Sequence, residues 1–187
     1  RGVHLVGDVM YDAFLFNLET ARKRESVVKK LGLAPGGFAL ATLHRAENTD
    51  DPERLRAVLA GIEQSGLAVV LPLHPRTRSR LKGDLQSRIR IVDPVGYLDM
   101  LNLEADAEVI VTDSGGVQKE AYFLAKPCVT LRDTTEWKET IEAGWNVLAG
   151  WDTEQIAEAM RAFRPKGVHP DLFGDGHAAE KIAELLN

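Results

Sequence analysis

The stretch Asp113-Ser114-Gly115-Gly116-Val117-Gln118-Lys119-Glu120 follows the apolar run Val109-Ile110-Val111-Thr112 and opens a helical pattern that runs through Ala125. A strand, a small-residue turn and a helix start together make a place to hold phosphate. The first turn of a helix carries unpaired N–H groups and the positive end of the dipole. Ser114 adds a hydroxyl donor, and Gly115 and Gly116 let a phosphate approach the backbone because no Cβ intervenes. Glu120 lies one turn beyond Gly116 on the same face, where its carboxylate can accept from ribose hydroxyls. The stretch reads as a site for a nucleotide diphosphate. Taken alone, it is also explained as a tight strand-to-helix turn with Ser114 as N-cap.

On either side of it, short apolar runs alternate with amphipathic stretches. Strands are expected at Val3–Val6, Phe38–Leu43, Leu67–Leu73, Ile89–Val92, Val109–Thr112, Pro127–Leu131 and Asn146–Leu148. Their nearly unbroken apolar character is that of strands buried on both faces of a parallel sheet. Helices are expected at Tyr11–Leu31 (broken), Pro52–Gln64, Thr77–Leu85, Tyr97–Leu103, Val117–Ala125, Glu136–Ala143, Thr153–Phe163 and Ala178–Leu186. Asp51-Pro52 supplies an N-cap and a first-turn proline, while Gly32, Gly66 and Gly144 close helices. The series predicts a doubly wound, Rossmann-like α/β domain spanning residues 1–187, with its ligand at the carboxyl ends of the strands.

The bulk numbers narrow the function. A chain of 187 residues suffices for one domain with a sizeable core, and 44% hydrophobic with 27% charged residues is ordinary for a globular protein. The net charge of −5 argues against nucleic acid or an anionic membrane as partner. The single cysteine, Cys128, reads as a small buried hydrophobe and fits a reducing cytoplasm. No apolar run approaches the roughly 18 residues that span a bilayer. The start at Arg1, without Met, predicts a piece of something longer.

Other strand ends carry chemistry as well. His44-Arg45-Ala46-Glu47-Asn48 follows the second strand and gathers an imidazole, a guanidinium, a carboxylate and an amide. His44 can place positive charge or a proton near a leaving phosphate. His74-Pro75-Arg76 follows the third strand, with Arg78 and Arg80 beyond it. Those arginines suit anions or a solvated helix face equally. Arg132-Asp133-Thr134-Thr135-Glu136-Trp137 follows the sixth strand, where Thr134 or Thr135 can cap the next helix. Glu104, Asp106 and Glu108 read as a solvated face rather than a metal cluster, and no metal or cofactor is expected.

These segments resemble the non-hydrolysing UDP-N-acetylglucosamine 2-epimerases. The resemblance rests on residues 113–121, Lys126-Pro127, Arg132 to Glu136, Glu142-Ala143-Gly144 and the His44-Arg45-x-Glu47-Asn48 loop. It extends to the ending Phe173-Gly174-Asp175-Gly176-His177-Ala178-Ala179, so it covers nearly the whole chain. It implies one half of a GT-B-type fold: the C-terminal UDP-binding domain plus the lead-in Val6-Gly7-Asp8 to Asp12. The absent N-terminal half carries the acidic residues that act at C2. The implied reaction interconverts UDP-GlcNAc and UDP-ManNAc by elimination and re-addition of UDP, feeding surface polysaccharide.

By resemblance, Ser114, Gly115 and Gly116 bind diphosphate, Glu120 binds ribose, and His44 is catalytic beside the reacting sugar. Arg45, Glu47, Met100, Arg132 and Thr135 complete the UDP-sugar site, and His74 matches a second, regulatory one. Relatives are usually dimers. Three positions depart from the pattern: Trp137-Lys138 stands where many members have Arg-Pro, Met100 where many have an aromatic residue, and Asp8 where Asn is usual. A GT-B glycosyltransferase half and a non-catalytic UDP-sugar module are the competing readings.

Overall fold

The computed structural model describes residues 2–81 and 88–186, the side chains of residues 75 and 76 excepted. In chain order the elements are α1 Val9–Arg22, α2 Val27–Lys30, β1 Ala39–Thr42, α3 Ala46–Thr49, α4 Pro52–Gln64, β2 Val69–Pro72, α5 Pro75–Arg78, β3 Ile89–Val92, α6 Tyr97–Asp106, β4 Val109–Thr112, α7 Gly115–Phe123, β5 Cys128–Thr130, α8 Lys138–Glu142, β6 Asn146–Leu148, α9 Thr153–Ala162 and α10 Ala178–Leu186. The strands form a parallel sheet in the order β3-β2-β1-β4-β5-β6. The chain winds outward from β1 to β3, returns to β4, and winds outward again the other way. The direction reverses between β1 and β4, which is where doubly wound sheets open a crevice.

Strand alternation divides the core. Ala39, Ala41, Val69, Leu71, Val109, Val111 and Val129 meet Val58 and Ile62 of α4 and Ile156 and Met160 of α9. The intervening residues Leu40, Val70, Ile110 and Cys128 meet Val28 of α2, Leu103 of α6 and Ala121 of α7. A side-chain period of two thus gives each strand two buried faces, which explains the continuous apolar runs. Helices α4 and α9 approach so closely at Gly61 that a Cβ there would lie 2.8 Å from Ile156 Cβ. Helix α1 packs outside α6 through Phe14, Ala21 and Leu101.

Several expected boundaries shift. Residues 3–6 form no strand, and Val3 and Leu5 are fully exposed. A run of four apolar residues can be extended without pairing, and residues 3–6 join neither edge of the sheet, β3 or β6. The broken first helix resolves into α1 and α2. The helix expected at 77–85 is α5 at Pro75–Arg78, and its residues 82–85 lie outside the described residues. Helix α7 starts two residues early, so Gly115 and Gly116 lie inside its first turn. It ends in a turn where Lys126 N–H reaches Ala121 O and Ala125 adopts φ 49°. Helix α8 begins at Lys138 with no threonine cap on its N-terminus.

The two ends of the chain meet. Asp8 caps α1 through Met10 N–H, and its own N–H donates to Phe173 O at 2.9 Å. Asp12 accepts from Ala178 and Ala179 N–H at 3.1 and 2.7 Å, satisfying the start of α10.

Candidate functional site at the reversal of the sheet

In-register pairing of β1 with β4 puts Thr42 opposite Thr112, their hydroxyls 2.6 Å apart and buried. The chain therefore leaves both strands at the same level, bringing residues 44–48 beside residues 113–116. Asp113 joins them. Its fully buried carboxylate accepts from His44 N–H at 3.2 Å, Arg45 N–H at 3.0 Å and Asn48 Nδ2 at 3.2 Å. Asn48 Nδ2 also donates to Leu131 O at the end of β5, so three strand ends are tied at one point. His44 Nδ1 lies 3.4 Å from Asp113 Oδ1, while the ring stays more than half exposed to the crevice.

At the start of α7, Ser114 N–H is anchored on Thr112 Oγ1 and Ser114 Oγ accepts from Val117 N–H. The first backbone donor with an intrahelical acceptor is Gln118, bonded to Ser114 O. The N–H groups of Gly115 and Gly116 precede it, in the turn where a helix leaves its donors without intrahelical acceptors. The fold itself does not require glycine at 116. A Cβ there would meet Ser114 Oγ at 3.8 Å and Met10 Cε at 3.9 Å, which is ordinary contact. Packing therefore gives no reason for glycine at this position.

The segment after β5 supplies charge and a buried polar brace. Arg132 makes a fork-to-fork pair with Glu136 at 2.7 and 2.9 Å, with Glu47 3.8 Å from its Nε. Arg45 reaches the same Glu136 at 3.7 Å. Hydrogen bonding from Arg132 draws the Glu136 carboxyl down to about 2 and raises the Arg132 guanidinium in return. Both guanidinia, from strand ends on opposite sides of β4, are thus held at the mouth of α7. Thr135 is buried; its hydroxyl donates to Gln118 Oε1 at 2.6 Å and accepts from Trp137 N–H. Asn146 Nδ2 donates to the same Gln118 oxygen. Thr135 therefore fixes the segment against α7, and Arg132 lies buried beneath the more exposed Glu136.

Where Trp137 replaces arginine, the indole does two things. Its Nε1–H, buried and without an acceptor among the described residues, would stand 3.4 Å from a Cβ at Gly115. Its ring covers Lys119 Nζ at 4.5 Å, with Phe173 at 5.2 Å. Lys119 is itself buried and paired with Asp8. Asp8 thus pairs with a lysine on α7, and Asp8, Lys119 and Trp137 form one cluster.

Farther along α7, Glu120 is buried and accepts from Tyr97 Oη at 2.9 Å. Tyr97, on α6, is half exposed, so an aromatic ring does border the site three residues before Met100. Met100 is partly buried against the α2–α6–α7 core. Glu104, expected on a solvated face, is fully buried. Asp106 pairs instead with Arg22, and Glu108 with Arg164. His74 sits at the end of β2, one strand over from His44, where its carbonyl starts α5. Arg78 pairs with Asp93 and Arg80 with Asp50, while the side chain of Arg76 lies outside the described residues. The sequence assigned no role to Asp113, Tyr97 or Lys119, and none to Asn48 beyond an amide in its loop. Asp113 and Asn48 bracket quoted motifs, and that position was the available signal.

A family model described as UDP-N-acetylglucosamine 2-epimerase matches residues 1–187. The sequence is 47% identical over 188 residues to a UDP-2,3-diacetamido-2,3-dideoxy-D-glucuronate 2-epimerase of Pseudomonas aeruginosa, covering 97% of this chain and 51% of that protein. It is 42% identical to a UDP-N-acetylglucosamine 2-epimerase of Methanocaldococcus jannaschii, covering 98% and 54%. A crystal structure of the M. jannaschii UDP-GlcNAc 2-epimerase in complex with UDP-GlcNAc and UDP matches with a TM-score of 0.84 at 41% identity, over 98% of this chain and 54% of that one. The chain spans about half the length of the curated relatives it matches.

Proposed function

The chain belongs to the UDP-N-acetylglucosamine 2-epimerase family, and on that premise we propose that it is the UDP-binding half of such an enzyme. The complete enzyme interconverts UDP-GlcNAc and UDP-ManNAc, and this half forms a single Rossmann-like domain. The observation that carries the reading is the junction at Asp113, which sets His44 and Arg45 beside the open first turn of α7.

The chemistry needs such a junction. The C2 proton of the sugar has no adjacent carbonyl to acidify it, so direct exchange is slow. Elimination removes UDP from C1 and the proton from C2 to leave a C1–C2 double bond. UDP then re-adds at C1 while a proton is returned to the opposite face of C2, which inverts C2. The protein must then hold UDP while the sugar waits as an unsaturated intermediate. Negative charge develops on the departing diphosphate, and the Gly115 and Gly116 N–H groups, Ser114, Arg45 and Arg132 meet it there. Their positions are set before the reaction, so little reorganisation is needed. His44, exposed to the crevice and braced by Asp113, acts beside the bond that breaks. Glu120, with Tyr97, takes the ribose. Glu47 restrains Arg132, Thr135 positions the segment, and Met100 backs the uracil side. His74 belongs to a regulatory UDP-sugar site. The groups that move the C2 proton come from the other half of the enzyme, which works as a cytoplasmic homodimer. Among the described residues no helix is long and apolar enough to cross a membrane.

Calorimetric titration with UDP, and with AMP as control, tests this half. Selective UDP binding that Glu120→Ala weakens more than tenfold is expected. Equal binding of both nucleotides would overturn the assignment. Product analysis on the complete enzyme, with UDP-GlcNAc and a 2,3-diacetamido uronate analogue offered side by side, decides the sugar.

A further inference from the structure

Glu104 is a carboxylic acid with nothing to neutralise it. It is fully buried on α6, and among the described residues neither of its oxygens meets an N–H or O–H donor. The polar group it faces is Glu120 of α7, another acceptor, itself buried. Tyr97 lies seven residues before Glu104, two turns along the same stripe of α6, and donates to Glu120 from that side. Glu120 is thus flanked by a phenol and a carboxyl presented from one helix face.

Two carboxyls can make a hydrogen bond with each other only if one of them carries a proton. The surroundings decide which one. Burial raises the Glu120 carboxyl too, but there the Tyr97 hydroxyl, Glu104 and the charge of Lys119 act against it and favour the ionised form. Glu104 has only Glu120. We propose that Glu104 stays a neutral acid at neutral pH and donates to Glu120, holding that carboxylate as an acceptor aimed at a ligand hydroxyl. Glu104 is a positioning residue, and the inference rests on the ribose reading of Glu120. Burial and the Glu120 charge hold the Glu104 carboxyl well above the usual range, which agrees. The ionisable groups facing the pair are Tyr97 on α6, Lys119 on α7 and Cys128 on β5. Arg22 of α1 is paired with Asp106 and Lys126 donates to Ala107 O, so neither supplies a counter-charge.

The test uses the whole chain, UDP, 2′-deoxy-UDP and three variants. Glu104→Gln keeps a donor toward Glu120, so it should bind UDP as the parent does at neutral pH. It should also lack the parent's loss of affinity at alkaline pH, where the Glu104 proton is lost. Glu104→Leu removes the donor and should weaken UDP by about tenfold, the size of one charge-assisted hydrogen bond. It should also narrow the preference for UDP over 2′-deoxy-UDP. Infrared spectra at neutral pH should contain a protonated-carboxyl band in the parent that is missing from Glu104→Gln. Parental affinity and preference in folded Glu104→Leu, or absence of the band, would overturn the proposal. Glu120→Ala separates the two readings. If it leaves UDP affinity unchanged, the ribose assignment fails, and the positioning role fails with it whatever the band shows.

Discussion

Gly116→Ala separates what the fold requires from what the ligand requires. Position 116 lies in the first turn of α7 with ordinary helical backbone, and a methyl there would find nothing closer than 3.8 Å. Alanine is favoured over glycine inside a helix by about 0.8–1.0 kcal/mol, and about half of that applies in a first turn. For a chain of this size, each kcal/mol moves Tm by about 2–4 °C, so the variant should melt about 1–2 °C higher. The same methyl would stand over the N–H groups proposed to meet the diphosphate. Displacing one charge-assisted hydrogen bond costs about 1.5–3 kcal/mol, so UDP should bind at least about tenfold more weakly. Thermal unfolding and calorimetry on one preparation read both quantities. A lower Tm would show that the space beside Gly116 is not open. A UDP affinity within twofold of the parent would show that the glycine does not clear a path for phosphate.

Three further outcomes are expected. Asp113→Ala leaves His44 N–H, Arg45 N–H and Asn48 Nδ2 without their buried acceptor; with relaxation of the loop it should cost about 3 kcal/mol, read as a lower urea midpoint. A loss under about 1 kcal/mol would contradict the bracing role. Ala125→Gly relieves a left-handed backbone at φ 49° and should stabilise by about 0.5–1 kcal/mol with an unchanged denaturant slope. The Glu136 carboxyl, depressed to about 2 by Arg132, stabilises the fold fully above its ordinary value of 4.5 and loses that contribution as pH falls toward 2. Because Glu136 is largely exposed the effect is modest and screened by salt. Glu136→Gln should therefore flatten stability across that window, and parallel curves for parent and variant would refute the pairing.

Much of this was legible in the chain. Apolar runs bounded by glycine and Asp51-Pro52 marked six strands and the main helices, because burial on two faces and helix capping are local demands. The turn from β4 into α7 was legible for the same reason: strand, Ser114, two glycines and helix are contiguous. The false strand at residues 3–6 exposes the limit. A run of four apolar residues states that it can be extended, but not that a partner strand is waiting.

Sequence alone therefore determined the class of sheet and offered candidate residues at its strand ends. Tertiary structure decided how those residues are held. The Asp113 junction to His44 spans 69 positions, Lys119 to Asp8 spans 111, and Asp12 to the start of α10 spans 166 and 167. Glu104 looked solvated because a carboxylate in a short acidic pattern ordinarily is, and only the packing of α6 on α7 buries it against Glu120. Hydrophobic period and capping act between neighbours in sequence, whereas hydrogen bonds and desolvation act between neighbours in space. The second set exists only once the sheet has brought β1 beside β4.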